Sequence, residues 1–262
     1  MKKIILSVIN YFGYKVIKLH RKRKVTAYSK YQNLTYHPTP IGNYYVPKEI
    51  KHDIISEHMK RGMLYDENII NVAKEYIMPG TIVLDIGANL GQMSIEFSKY
   101  VGETGCVYSF EAQKNVFEIL ELNIKANKIK NIKTFYNAVF NISNEKVIFP
   151  TIDLTKFSSP GSFGIDLNSN NGIEVSTICI DALYYPQKIS FMKIDIQGAD
   201  IFALYGAMNT IKHHKMPIIF EYEEQFQEEF CTSFQDYIDF VEKINYKFVK
   251  TIDKINFLII PK

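Results

Sequence analysis

The chain predicts an α/β fold: a doubly wound, mostly parallel sheet that ends in a C-terminal antiparallel hairpin. Three observations carry that prediction. From about residue 66, segments of helical period alternate with short apolar runs, as expected when helices cover a parallel sheet. The apolar run Ile82–Ile86 leads through the turn Gly87-Ala88-Asn89-Leu90-Gly91 into a helical segment. The last two runs, 246–250 and 256–260, are joined by a polar connection that permits a hairpin and is too short for a parallel crossover.

The N-terminus reads differently. Ile4, Ile5, Val8, Ile9, Phe12, Val16 and Leu19 recur at helical spacing and run into the basic stretch 20–24. Asn10, Lys15 and Lys18 interrupt the apolar face, so a spanning helix is not predicted, and no signal-peptide cleavage site follows. Two readings stand: a helix packed on the body or a partner, or an interfacial helix giving peripheral contact with an anionic membrane through residues 1–24. Residues 25–48 show no period and several turn formers. They read as an irregular connection, which makes 1–48 an appendage and 49–262 the folded domain.

Within that domain, Ile69, Ile70, Ala73, Tyr76 and Ile77 share a helix face that Pro79-Gly80 ends before the strand Ile82–Ile86. The helix after the glycine turn carries Met93, Phe97 and Tyr100. A strand at 107–110 precedes a helix with Val116, Phe117, Leu120 and Ile124 on one side, then a strand over Ile132–Tyr136. Residues 141–185 are less regular, with strands near 146–149 and 175–180 around a glycine- and serine-rich loop; its part 158–164 reads as a substrate loop or a plain connection. A buried strand at 191–196 is followed by one helix bearing Ile201, Leu204, Tyr205, Met208 and Ile211, then a strand at 217–221. The acidic run 221–229 reads as a solvated loop. Ser233 with Asp236 resembles a capping box opening the last helix. This order, with its terminal hairpin, is the shape of a class I methyltransferase, a Rossmann-like fold.

Composition narrows the function. With 47% apolar and 23% charged residues the chain is a packed globular protein, and 31 basic against 28 acidic residues leave no large field for a dedicated nucleic-acid binder. Cys106, Cys179 and Cys231 are odd in number and lack CxxC spacing, so neither a disulfide framework nor structural zinc is predicted. A reducing, cytoplasmic setting is the expectation. No metal-ligand spacing among the histidines suggests a metal site.

The chemistry-bearing residues cluster at strand ends. A dinucleotide fingerprint needs three glycines, whereas the corresponding positions here are Gly87, Asn89 and Gln92, which disfavours a nicotinamide dehydrogenase. Asp85 with Gly87, Asn89 and Gly91 instead suits a ligand without pyrophosphate, with a carboxylate facing the aminoacyl part of a sulfonium cofactor. Glu111, ending the next strand, is placed to accept both hydroxyls of a ribose. Together they point to an adenosyl ligand. Asp195, after a central strand, is a candidate general base with a pKa raised by burial, and Glu221 competes for that role.

In the ordered motifs VLDIGANLGQMS, GCVYSFEA, LNIKAN (Leu122 to Asn127), STICIDAL, MKIDIQGAD and PIIFEYE, the chain resembles the FkbM family of S-adenosylmethionine-dependent methyltransferases over roughly residues 52–222. The resemblance implies that Asp85, Gly87, Asn89 and Gly91 line the methionine side of the cofactor, Glu111 the ribose, and Asn137 with Ala138 the adenine side. It implies an O-methyltransferase whose acceptor is a hydroxyl of a sugar, glycan or other small polyhydroxylated molecule. The chain departs from the family at Ala112, where proline is usual, and at Gln197, where an acidic residue is common. A non-catalytic module of the same fold, tethered to a membrane or partner, is the alternative.

Overall fold

A computed structural model of the chain describes residues 34–48, 53–150, 161, 163–166 and 171–262. The helix expected within 1–24, and with it the membrane contact, lies outside the described residues. So does most of the 151–170 stretch, of which Gly161, Phe163, Gly164 and Ile165 are placed.

The centre is a seven-stranded sheet. In chain order it takes β3 (Ile82–Ile86), β4 (Cys106–Glu111), β5 (Ile132–Tyr136), β9 (Ile189–Ile194), β10 (Ile218–Glu221), β11 (Tyr246–Thr251) and β12 (Asn256–Pro261), and in space the order is β11-β12-β10-β9-β3-β4-β5. β5, β4, β3, β9 and β10 are parallel, and β12 joins β10 and β11 antiparallel, as the terminal hairpin predicted. Every residue of β3 is buried, as required of a strand covered on both faces.

Alternate side chains serve the two layers. Val83, Val107, Phe191, Ile219 and Leu258 face α2 (Glu67–Tyr76) and α3 (Gln92–Val101), with Phe97 edge-on to Phe191. On the opposite face Ile82, Leu84, Phe110, Met192, Ile194, Ile218 and Phe220 pack with α5 (Asp200–Gly206), α6 (Met208–His214) and α8 (Phe234–Lys243). Ser233 and Asp236 form the capping box at the start of α8.

Four expectations need correction. Residues 34–47 are not an irregular connection: β1 (Leu34–Thr39) and β2 (Gly42–Pro47) form a hairpin whose Tyr44 and Val46 are fully buried. It packs with Met59 of α1 (Ile54–Arg61) and with Val116 and Ile119 of α4 (Lys114–Ala126), so the core begins before residue 49. The single helix expected after Asp195 is broken at Ala207 into α5 and α6. Gly206 lies against the Phe140 main chain, where an added Cβ would meet the carbonyl oxygen at 2.1 Å. The acidic run is not a solvated loop throughout, since α7 (Glu224–Phe230) buries Gln227 and Phe230. Finally, the strands expected near 146–149 and 175–180 stand as β7 (Lys146–Pro150) and β8 (Gly172–Ile178), but an unexpected strand, β6 (Ala138–Val139), joins them in a separate three-stranded sheet. Its β6 follows directly on Asn137, at the open end of β5.

Candidate active site

The parallel strands reverse their winding between β3 and β9, and the carboxyl ends of β3, β4 and β9 open there into a cavity. Gly87, Asn89, Glu111, Asn137, Ala138 and Asp195 contribute to its wall, so the structure brings six of the sequence-predicted residues together. Asp85, Gly91 and Glu221 are not part of that wall among the described residues.

Gly87 turns the chain with φ of 82°, and a Cβ there would lie 1.8 Å from the Asp195 carbonyl oxygen. Only glycine meets both demands. Asn89 follows in the left-handed region and its amide nitrogen donates to Glu111 Oε2 at 2.9 Å. Glu111 Oε1 accepts from the Gln113 amide at 2.7 Å. Burial pushes the Glu111 carboxyl up to about 7, against the opposing pull of those backbone donors. Asn137 is held by its side-chain amide donating to the Ser176 carbonyl of β8 at 3.1 Å.

Asp85 is completely buried, contrary to a position facing ligand. Ser94 donates to its Oδ2, and its Oδ1 lies 3.9 Å from the Lys193 ammonium. Lys193 stands in β9 with its side chain 4% exposed, 3.1 Å from the Gly87 carbonyl and 3.2 Å from Asp195 Oδ2. It ties the two strand-end loops together. Burial alone would lower its pKa, but the Asp195 and Asp85 carboxylates outweigh that and hold it charged. Gly91 caps α3 instead of lining the cavity, with Leu120 occupying the space next to its Cα.

For Asp195 the raised pKa expected from burial is corrected. Burial does push its carboxyl up, yet the Lys193 ammonium and hydrogen bonds from Glu221 and Gln197 hold it below the ordinary value. Glu221 behaves oppositely: burial, then the Asp195 and Asp200 carboxylates, push it far up, so it carries a proton at neutral pH. Gln197 Nε2 donates to Asp195 Oδ1 at 3.0 Å and to Glu221 Oε2 at 2.9 Å. Asp200, fully buried at the start of α5, is raised to about 7 by burial and by Asp195.

Several site residues escaped the sequence reading. Lys193 had a signal, a lone charge inside an otherwise apolar strand, which calls for a buried partner. Phe163 belongs to the 158–164 stretch read as a substrate loop or plain connection, whereas Gln113, Val116, Phe149 and Ile165 of the cavity wall had no signal, because chain segments far apart in sequence bring them there. Tyr65, whose amide is fixed by Gln92 Oε1 at 2.9 Å, is raised to about 12 by burial and then by Asp66, Asp195 and Glu221. Among the described residues no group of three or more His, Cys, Asp and Glu side chains is placed to hold a metal ion.

The Methyltransferase FkbM domain matches residues 85–248, which takes in β3 through β11 and every element of the cavity end of the sheet. The chain belongs to the FkbM methyltransferase family. The fold is accordingly the class I methyltransferase fold, and S-adenosylmethionine is the cofactor of such domains. The Sulfurisphaera tokodaii protein named Probable cobalt-precorrin-6B C(15)-methyltransferase (decarboxylating) is 28% identical over 64 residues, 24% of this chain and 33% of that protein. The match therefore spans about a third of that relative's length. Two solved structures to which the chain is similar are an FkbM methyltransferase from Methylobacillus flagellatus KT and a SAM-dependent methyltransferase from Aquifex aeolicus. The first has TM-score 0.47 and 13% identity, covering 78% of this chain and 59% of that one. The second has TM-score 0.43 and 17% identity, covering 75% and 88%. Family membership rests on the domain match.

Proposed function

We propose that this FkbM-family domain transfers the methyl group of S-adenosylmethionine to a hydroxyl of a sugar, glycan or other small polyhydroxylated acceptor. The observation that carries the reading is Asp195: an ionised carboxylate in the cavity wall, fixed by Lys193 and Gln197 beside the Gly87 turn. The cavity fits the cofactor by its own chemistry. Gly87 leaves the main chain bare for close approach, Glu111 offers acceptor oxygens to a diol, and Phe110, Val116, Val139 and Phe149 make an apolar slot for a flat base.

When bound, S-adenosylmethionine supplies an electrophilic methyl on a sulfonium. The chain's own part is to hold the acceptor hydroxyl in line, exclude water, and take its proton at Asp195 Oδ. Lys193 keeps Asp195 deprotonated and oriented, at some cost in base strength, so positioning carries more of the rate than proton affinity does. The acidic surroundings of Asp195, with Asp66 and Glu223 nearby in charge, favour a neutral hydroxyl acceptor over one bearing phosphate or carboxylate at the reacting carbon.

Peripheral contact of residues 1–24 with an anionic membrane, on the cytoplasmic side, belongs to the same proposal and is supported by their sequence pattern alone. No helix among the described residues is long and apolar enough to cross a membrane. Transfer of label from methyl-labelled cofactor to a panel of free sugars, glycans and lipid-linked glycans tests the reaction. Labelled methyl ether on a hydroxyl supports it; S-adenosylhomocysteine binding without transfer to any of the panel favours the non-catalytic module. Liposome flotation with and without residues 1–24 tests the contact, and equal recovery in the soluble fraction contradicts it.

A further inference from the structure

We propose that Gln197 is a positioning residue that bridges Asp195 and Glu221 and holds the charged Asp195 carboxylate at the cavity, while the groups around the pair leave the proton on Glu221. The inference rests on the reading of Asp195 as the base. A single amide nitrogen lies 3.0 Å from Asp195 Oδ1 and 2.9 Å from Glu221 Oε2, so each of its two hydrogens serves a different carboxyl group. Two carboxyl groups held by one nitrogen repel each other when both are ionised, which raises the pKa of one of them.

The surroundings decide which one keeps the charge. Asp195 faces the Lys193 ammonium at 3.2 Å, which also lies 3.9 Å from Asp85, and Tyr65 and Asp66 are within electrostatic range of Asp195. Among the described residues no cation pairs directly with Glu221, and Lys193 acts on it only at longer range. Glu221 faces Asp195, Asp200 and Glu223, all acidic, and its own main-chain amide is already spent on Asp200 Oδ1 at 3.3 Å. Gln197 is held with φ of 54°, a left-handed conformation unusual for a long side chain, and that turn aims its amide inward. The departure from the acidic residue common in the family thereby acquires a reason. A carboxylate at this position has no hydrogens to give to two acceptors.

Carbon-13 NMR of the full chain, labelled at Asp and Glu carboxyl carbons and titrated with pH, tests the pair. Asp195→Asn and Glu221→Gln assign the two signals. The parent protein is expected to show Asp195 titrating below the ordinary carboxyl range and Glu221 well above it. Gln197→Gly removes the amide and suits the left-handed backbone. It should raise the Asp195 transition by about one pH unit or more, because a lost donor destabilises the ionised form, and it should not lower that of Glu221. If Gln197→Gly does not fold, Gln197→Asn, whose amide is a methylene too short to reach both oxygens, is read the same way. An unchanged Asp195 transition overturns the proposal. A raised Asp195 transition in a protein that transfers no methyl group leaves the bridge standing and overturns the proposed function alone.

Discussion

Glu111 shows how a single residue was both legible and incomplete in the sequence. Its place at a strand end after the glycine turn marked it as a ribose acceptor, but not that the Asn89 and Gln113 amides would already hold its two oxygens. Folding raises its pKa to about 7 from the ordinary 4.5, so its stabilising contribution is complete below about pH 4.5 and is lost as pH rises through 7. A diol donating hydrogen bonds favours the ionised form, so binding opposes that loss. S-adenosylhomocysteine affinity should therefore tighten as pH rises from 6 to 8, with proton release on binding near pH 6. Calorimetry in two buffers of different ionisation enthalpy measures both, and Glu111→Gln should flatten the profile. Asp195→Asn keeps the shape of the side chain and removes its basicity. Turnover should fall by about 10²-fold or more with cofactor affinity little changed. Glu221→Gln, replacing a group that already carries a proton, should cost far less. Equal losses in the two variants would exchange or merge their roles. Lys193 was visible only as an oddity, because its partners Gly87, Asp85 and Asp195 come from two strands far apart in sequence.

Among the elements, those with a strong period were legible and those defined by partners were not. β3, β5 and the α8 capping box stand where apolar runs and a local signal placed them. The β1–β2 hairpin was missed because its hydrogen-bonding partners lie in a helix. Asn123 of α4 and Asn127 at its C-cap accept from the main-chain amides of Tyr45 and Asn43 at 2.6 and 2.8 Å. Asn123 Nδ2 also donates to the Leu90 carbonyl at 2.8 Å, which ties hairpin, helix and glycine turn together. The LNIKAN stretch was recognised as a motif, but its purpose became readable only with the hairpin in place. Asn123→Ala strands buried main-chain groups on both sides and should cost about 1–3 kcal/mol for each one left unpaired, read from urea unfolding. Tyr44→Ala should cost about 3–5 kcal/mol, as for other large buried rings. If the old boundary near residue 49 were right, both substitutions would be nearly neutral. Gly87→Ala combines a positive φ with a 1.8 Å contact and should cost about 3 kcal/mol or more, with S-adenosylhomocysteine binding lost where the protein still folds.

At the scale of the whole molecule, the doubly wound sheet explains why residues from 85 to 221 meet at one end. Parallel strands deliver their carboxyl ends to the same edge, and the reversal between β3 and β9 opens the crevice there. This part of the architecture follows from alternation of periods and was legible. Of the small sheet, β7 and β8 were legible near 146–149 and 175–180, but β6 was not, since it is two residues long and has no period to detect. The account's central claim is that this crevice binds an adenosyl ligand through Glu111. The most direct measurement is a calorimetric titration of S-adenosylhomocysteine into the parent chain and into a folded Glu111→Ala variant. Loss of charge-assisted hydrogen bonds worth about 1.5–3 kcal/mol predicts an affinity at least about tenfold weaker in the variant. Equal affinity in both proteins, or binding of NAD to the parent in place of S-adenosylhomocysteine, would contradict it.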